Sequence, residues 1–323
     1  LKQVGADLFL LVEQFKDHPS VGSMHSYKLM QRVLSDQCTV EPGDDGDCKV
    51  VVKKPADIAS TSLQNPSDPD ATYDGHKGQG YKIQIMETYS KHEDPAEKEK
   101  QLNLITHVAM QRACESDSNA LVPAITDARN RRQCPDELLG DTSYGSDDNH
   151  QAAQTANVQL IAPVHKTNAT NTSHLTGFAF NDDGYVIACP AGHKPNRVRH
   201  RKRTDRFSAA FSQQHCQGCP HSGQCKLRPG KDKFLLYYSG KQYRLAARRA
   251  YEQTEAFAEA YRWRAGVEAT MSEFNRRTGV KKLRVRGMPA VRFAARMKAT
   301  GLNILRAAAV RKARRKARRT DTN

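Results

Sequence analysis

The 323-residue chain is short of long hydrophobic runs. None of its stretches approaches the eighteen or so uninterrupted apolar residues of a helical membrane span, so no membrane partner is expected. The first residues do not show a basic segment running into an apolar core and a cleavage site either, so no secretory leader is expected. A soluble, cytoplasmic protein is the expectation. Aromatic residues make up only 7%, with a single Trp. Eight cysteines, at positions 38, 48, 114, 134, 189, 216, 219 and 225, are too few and too unevenly spread for a disulfide scaffold of this length. The chain also lacks a phosphate-cradling glycine loop, a Gly-x-Ser-x-Gly elbow and a His-Glu-x-x-His helix, which removes support for nucleotide hydrolysis, esterase and metalloprotease chemistry. It opens on Leu1 rather than Met, as expected of a processed or engineered chain or of the later part of a longer reading frame.

Positive charge is abundant, and it is concentrated. The chain carries 51 Lys and Arg against 35 Asp and Glu, a net of +16. Residues 241–323 hold 23 of those cations against 6 acids, leaving 28 against 29 in the first 240 residues. Such a basic end on a balanced body suggests a polyanionic partner. Arg311 to Arg319 has seven basic residues in nine, readable either as a DNA-clamping helix or as a solvated extension.

Hydrophobic spacing predicts the elements. Leu8, Leu11, Val12 and Phe15, then Tyr27, Leu29, Met30 and Leu34, recur at helical intervals and predict two short helices. From Glu41 to Asp74 the composition turns to loop residues, interrupted by a β-like run at Cys48–Lys53. Tyr81 to Glu87 alternates in period two, and Leu102 to Val108 follows after a charged connection, predicting an antiparallel pair. A helix over 118–132, a strand over 137–141, a helix opened by Ser146 and a strand over 158–163 give an α/β grammar. The polar run Thr170 to Ser173 breaks it, and residues 178–238 read as an insertion. A long helix from Gln242 to Arg277, stopped by Gly279, and another over 290–309 follow.

Within that long helix Tyr261, Arg264 and Glu268 stand at i, i+3 and i+7 and would share a face. Tyr-x-x-Arg-x-x-x-Glu is followed by the basic segment Phe274-Asn-Arg-Arg-Thr-Gly-Val-Lys-Lys-Leu-Arg-Val-Arg-Gly287. Two further blocks are Asn65-Pro-Ser-Asp-Pro-Asp through Gln84, and Pro135-Asp-Glu-Leu-Leu-Gly-Asp-Thr-Ser-Tyr-Gly-Ser-Asp-Asp-Asn149. Together these blocks, spanning residues 65 to about 306, resemble the DDE-type insertion-sequence transposases. Where that family usually has Lys seven residues after the Glu, this chain has Asn275.

The resemblance implies an α/β fold: a ribonuclease-H-like mixed sheet flanked by helices, with a small cysteine-rich insertion and helical N- and C-terminal segments. It would divide the chain into an N-terminal helical segment at 1–60, a catalytic domain at 61–310 interrupted at about 178–238, and a basic tail at 311–323. It further implies three acids holding two divalent cations, Mg2+ or Mn2+, for phosphoryl transfer on DNA. Asp68, Asp141 and Glu268 are the expected ligands, with Asp70 and Glu87 as rivals for the first place, because the first acid belongs on a central strand and residues 60–72 lack one. Tyr261, Arg264, Arg276, Arg277, Lys281, Lys282, Arg284 and Arg286 are the expected DNA contacts. The partners implied are double-stranded DNA, as element ends and target, and further copies of the chain at synapsis, with the protein associated with the nucleoid. A DNA-binding segment upstream of Leu1 is implied as well.

Cys189, Cys216, Cys219 and Cys225 form a plausible thiolate set for structural Zn2+, with His193 and His215 as substitutes. Two rival readings share these features: a catalytically inactive transposase remnant or other zinc-containing, non-enzymatic DNA-binding protein, and a nuclease that cuts without joining.

Overall fold

A computed structural model describes residues 1–42, 48–165, 175–223, 225 and 227–320. The polar run Thr170 to Ser173 lies outside them. The protein is mixed α/β, and its chain divides into two compact units, residues 1–116 with 268–323, and residues 117–267. Among the described residues, no helix is long and apolar enough to cross a membrane.

In the first unit, α1 (Lys2–Phe15) and α2 (His25–Gln37) are the two helices that the spacing predicts. They pack through Val12, Tyr27 and Leu34, and the buried Tyr27 hydroxyl donates to the Val12 carbonyl at 2.6 Å. The segment from Cys38 holds more regular structure than its composition suggests: β1 (Cys38–Pro42) and β2 (Cys48–Val52) pair antiparallel. Next, β3 (Thr72–Asp74), β4 (Gly78–Glu87) and β5 (Ile105–Arg112) form an antiparallel sheet with β4 in the middle. Helix α3 (Pro95–Lys100) lies in the β4–β5 connection, started by Asp94, whose side chain accepts from the Ala96 amide.

The second unit opens with α4 (Leu121–Asn130), β6 (Glu137–Leu139), α5 (Asp147–Thr155) and β7 (Gln159–Ile161). Strands β6 and β7 run parallel, and Ser146 caps α5 by accepting from the Asn149 amide, as the sequence predicts. The stretch over 178–238 is β-rich. It contains a hairpin of β8 (Ala179–Phe180) and β9 (Val186–Ala188), then β10 (Arg197–Arg201), β11 (Arg206–Ser212), the short α6 (Gln213–Gln217), β12 (Arg228–Pro229) and β13 (Lys233–Ser239). The last four strands make an antiparallel sheet ordered β10-β11-β13-β12.

The single long helix expected from Gln242 is broken. It consists of α7 (Gly240–Tyr251), α8 (Glu255–Tyr261), a 3-10 turn over Arg262–Ala265, and α9 (Gly266–Thr278). Thr254 causes the first break, its hydroxyl accepting from the Phe257 amide to start a new helix. Tyr261, Arg264 and Glu268 therefore do not lie on one continuous α-helix.

The first unit resumes with the rest of α9 and with α10 (Met288–Thr320), which is 33 residues long. Val291, Ala295, Ala299 and Leu302 recur every three or four residues and pack on Ile105, Val108 and Met110 of β5. Asn303 pairs with the β5 backbone in both directions, donating to the Ile105 carbonyl and accepting from its amide, each at 2.9 Å. The basic tail is helical as far as Thr320, in keeping with the high helix propensity of Ala, Arg and Lys. The described strands form five separate sheets, and the mixed pairing a ribonuclease-H-like fold needs is represented by the parallel β6–β7 pair alone.

Candidate functional site

Each expected acid has a definite local setting. Asp68 is buried, and its Oδ1 accepts from the Tyr81 hydroxyl at 2.5 Å and from the Gly287 amide at 3.0 Å. Asp70 accepts from the Met288 amide at 2.8 Å and lies 3.6 Å from Arg112. The two aspartates thus satisfy amides at the start of α10, where the helix end favours negative charge. Burial and the Asp68 carboxylate push the Tyr81 hydroxyl well above its ordinary range, so it remains a donor.

Glu87 ends β4, the middle strand. Its Oε2 accepts from the Thr270 hydroxyl at 2.7 Å and from Arg306 at 3.1 Å. Arg306 also pairs with Glu273 at 2.9 Å. This network joins β4, α9 and α10, and Thr270 lies two residues beyond Glu268. Glu268 itself is exposed in the first turn of α9.

In the second unit, Asp141 follows β6 and caps the next turn, its Oδ1 accepting from the Ser143 amide at 2.8 Å. Arg264 lies 3.6 Å from its other oxygen, Oδ2. Burial, with Asp141 next to it, pushes the Tyr144 hydroxyl up. The loop after Asp141 is held by α7. Arg248 donates to the Gly145 carbonyl at 2.6 Å and to that of Ser146 at 3.4 Å, and Arg244 forks onto buried Asp147 at 2.7 Å. Burial lowers Arg248 to about 10, which still leaves it charged at neutral pH. Gly145 is required there, because a Cβ would fall 1.7 Å from the Pro163 carbonyl oxygen.

The basic segment after α9 is exposed at Arg276, Arg277, Lys281, Lys282, Arg284 and Arg286. Arg277 is paired with Glu273 at 3.0 Å. Asn275, which occupies the family's lysine position, accepts from the Lys281 amide at 3.2 Å and so shapes the turn rather than offering a charge.

The cysteine motif folds into facing turns. The Cys189 amide donates to the His193 carbonyl and its carbonyl accepts from Gly192, while the Cys219 amide approaches the Cys216 carbonyl at 3.4 Å. The rings of His193 and His215 stack at 4.3 Å, setting the two turns side by side. Cys189, Cys216 and Cys225 pack against the same apolar cluster. Burial, then the neighbouring Cys189, Cys225 and Cys219, hold the Cys216 thiol above its usual range. All four are free thiols, and among the described residues no three His, Cys, Asp or Glu side chains are already gathered as a metal ion would gather them.

Sequence reasoning missed Arg244, Arg248 and Arg306, because each acts through an element distant in sequence. Residues 188–308 match the family model described as "Transposase DDE domain". No curated protein and no solved structure matches the chain.

Proposed function

We propose that this chain, whose residues 188–308 match the transposase DDE domain model, is a DNA transposase that binds its element's ends and cuts and joins DNA by metal-assisted phosphoryl transfer. The observation that carries the reading is the family match itself, which runs through Glu268 and the basic segment to Arg286. A ribonuclease-H-like arrangement, a homo-oligomer at synapsis and residence on the nucleoid belong to the same proposal.

Asp141 and Glu268 are the second and third acids, and Arg264, beside Asp141, meets the scissile-strand phosphate. For the first acid the local geometry favours Glu87 over Asp68. Asp68 is committed to the Tyr81 hydroxyl and the start of α10, whereas Glu87 closes a middle strand and touches α9 close to Glu268. Hard carboxylate oxygens suit Mg2+ or Mn2+, which when bound would offset phosphate charge and activate a water or 3′-hydroxyl. The chain's own part is to hold those oxygens still. The Ser143 amide fixes one oxygen of Asp141, and Thr270 with Arg306 fixes one of Glu87.

Cys189, Cys216, Cys219 and Cys225 would hold a structural Zn2+. The support is that Cys189, Cys216 and Cys225 pack on one apolar cluster and that the His193–His215 stack sets their turns side by side; four thiolates would leave no open position for chemistry.

The test is incubation of the purified chain with end-labelled duplex carrying the element termini, with and without Mg2+ or Mn2+. Metal-dependent nicking and joined products are expected. DNA binding without cleavage in either metal would replace the enzyme with a non-catalytic DNA-binding protein.

A further inference from the structure

The four-stranded sheet of the second unit has two very different faces. Its register places Val198, His200, Phe207, Ala209, Phe211, Leu236 and Tyr238 on one side, and there Phe207, Ala209, Phe211, Leu236 and Tyr238 are buried. The alternate positions form the other side. Arg199 faces Ser208, which faces Tyr237; Arg197 faces Ala210, which faces Leu235, which faces Arg228; Arg201 faces Arg206. The outer face therefore carries five arginines and no acid. All five arginines are exposed, and Tyr237 on the same face is 51% exposed. None of the five has an ion-pair partner among the described residues.

This arrangement costs stability. Arg201 and Arg206 stand directly opposite each other across two strands, a placement of like charges that weakens a sheet. Alternate residues of β10 put Arg197, Arg199 and Arg201 in a straight row, about 7 Å apart. A row of guanidinium forks at even spacing suits a ligand with evenly spaced anionic groups. Small Ser208 and Ala210 between the arginines leave the backbone open to close approach, and the exposed Tyr237 ring adds a flat apolar surface.

We propose that the outer face of the β10-β11-β13-β12 sheet is a docking surface for the phosphate backbone of duplex DNA, with Arg197, Arg199 and Arg201 as its principal contacts. This rests on the transposase reading for its choice of polyanion. It adds a contact surface separate from the basic segment after α9 and from the tail.

The experiment is fluorescence anisotropy of a labelled duplex titrated with the full chain over a series of salt concentrations. The comparison is between the wild type, the triple variant R197A/R199A/R201A and the triple variant R197K/R199K/R201K. If each arginine neutralises one phosphate, the slope of log affinity against log salt falls by about 2.7 in the alanine variant. Affinity at fixed salt drops at least about tenfold, and the lysine variant keeps most of the slope. Far-UV circular dichroism of the alanine variant should match the wild type. An unchanged slope in a folded alanine variant overturns the inference while leaving any cleavage activity, and so the transposase reading, intact. Loss of slope in a chain that never cleaves DNA keeps the surface and discards the enzyme. No duplex binding by the wild type, or a loss in the alanine variant confined to acidic polypeptide such as polyglutamate, overturns the docking surface for DNA.

Discussion

Arg306 of α10 donates to Glu87 at the end of β4 at 3.1 Å, and the two side chains are only 14% and 9% exposed. The same guanidinium reaches Glu273 and the Thr270 hydroxyl. A pair this buried holds α10 and α9 to the sheet, and removing one partner leaves uncompensated charge. Arg306→Met should destabilise the chain by about 3 kcal/mol, seen as a lowered denaturant midpoint. Glu87→Gln keeps an acceptor for Thr270 and leaves Glu273 opposite Arg306, so it should fold with a smaller loss of stability than Arg306→Met, yet lose metal-dependent cleavage. Asp68→Asn should retain cleavage and lower the thermal midpoint by weakening the start of α10. The opposite pattern of activities would return the first acid to Asp68.

Arg248 is a positioning residue for the loop that follows Asp141. Arg248→Ala frees the Gly145 and Ser146 carbonyls, so cleavage should fall more than tenfold while DNA affinity stays within about twofold. Arg248→Lys keeps the charge with a single donor head in place of the fork, and should recover part of the rate. Equal loss of binding and cleavage in both variants would mark a purely structural role.

His150 lies on α5, and its Nε2 is buried without a hydrogen-bond partner among the described residues. Burial, helped by the Arg248 charge, lowers its pKa to about 4. Because the folded value lies below the ordinary 6.5, the unfolded chain binds more protons between the two. Stability is then full above about pH 6.5 and declines as the pH falls toward 4, by on the order of 2 kcal/mol after allowing for solvent screening. Urea midpoints measured from pH 7.5 to 4.5 should show this slope, and His150→Gln should flatten it. A wild-type slope that survives the substitution would assign the acid sensitivity elsewhere.

One equivalent of zinc should accompany the purified protein and be released by a thiol-blocking mercurial, as read with a chromogenic chelator. Cys216→Ser with Cys219→Ser should abolish it and destabilise the β10–β13 sheet. A metal content near zero in wild type purified without chelator would make these cysteines ordinary buried thiols.

Much of the fold is legible in the residues. Period-two alternation from Tyr81 marks β4, Ser146 marks the start of α5, and the helical spacing of Leu8 to Leu34 marks α1 and α2. Other features depend on tertiary partners. Strand β5 begins at Ile105 rather than Leu102, where Asn303, far away in sequence, takes up its first backbone groups. The break at Thr254 is invisible to periodicity, because Thr is tolerated inside helices and only its contact with the Phe257 amide reveals a cap. Arg197 to Arg206 reads as an undivided basic stretch until strand pairing sends alternate residues to opposite faces. Glu87 could be weighed from sequence for its place at the end of an alternating run. The engagement of Asp68 with Gly287, 219 residues away, could not.

The most direct test of the account compares Asp141→Asn and Glu268→Gln with wild type for binding and for metal-dependent cleavage of the same end-labelled duplex. Both variants should bind with near-wild-type affinity and cleave at least about a thousandfold more slowly in Mg2+ and Mn2+. Cleavage at the wild-type rate by either variant would contradict the assignment of that acid, and by both would contradict the proposed chemistry.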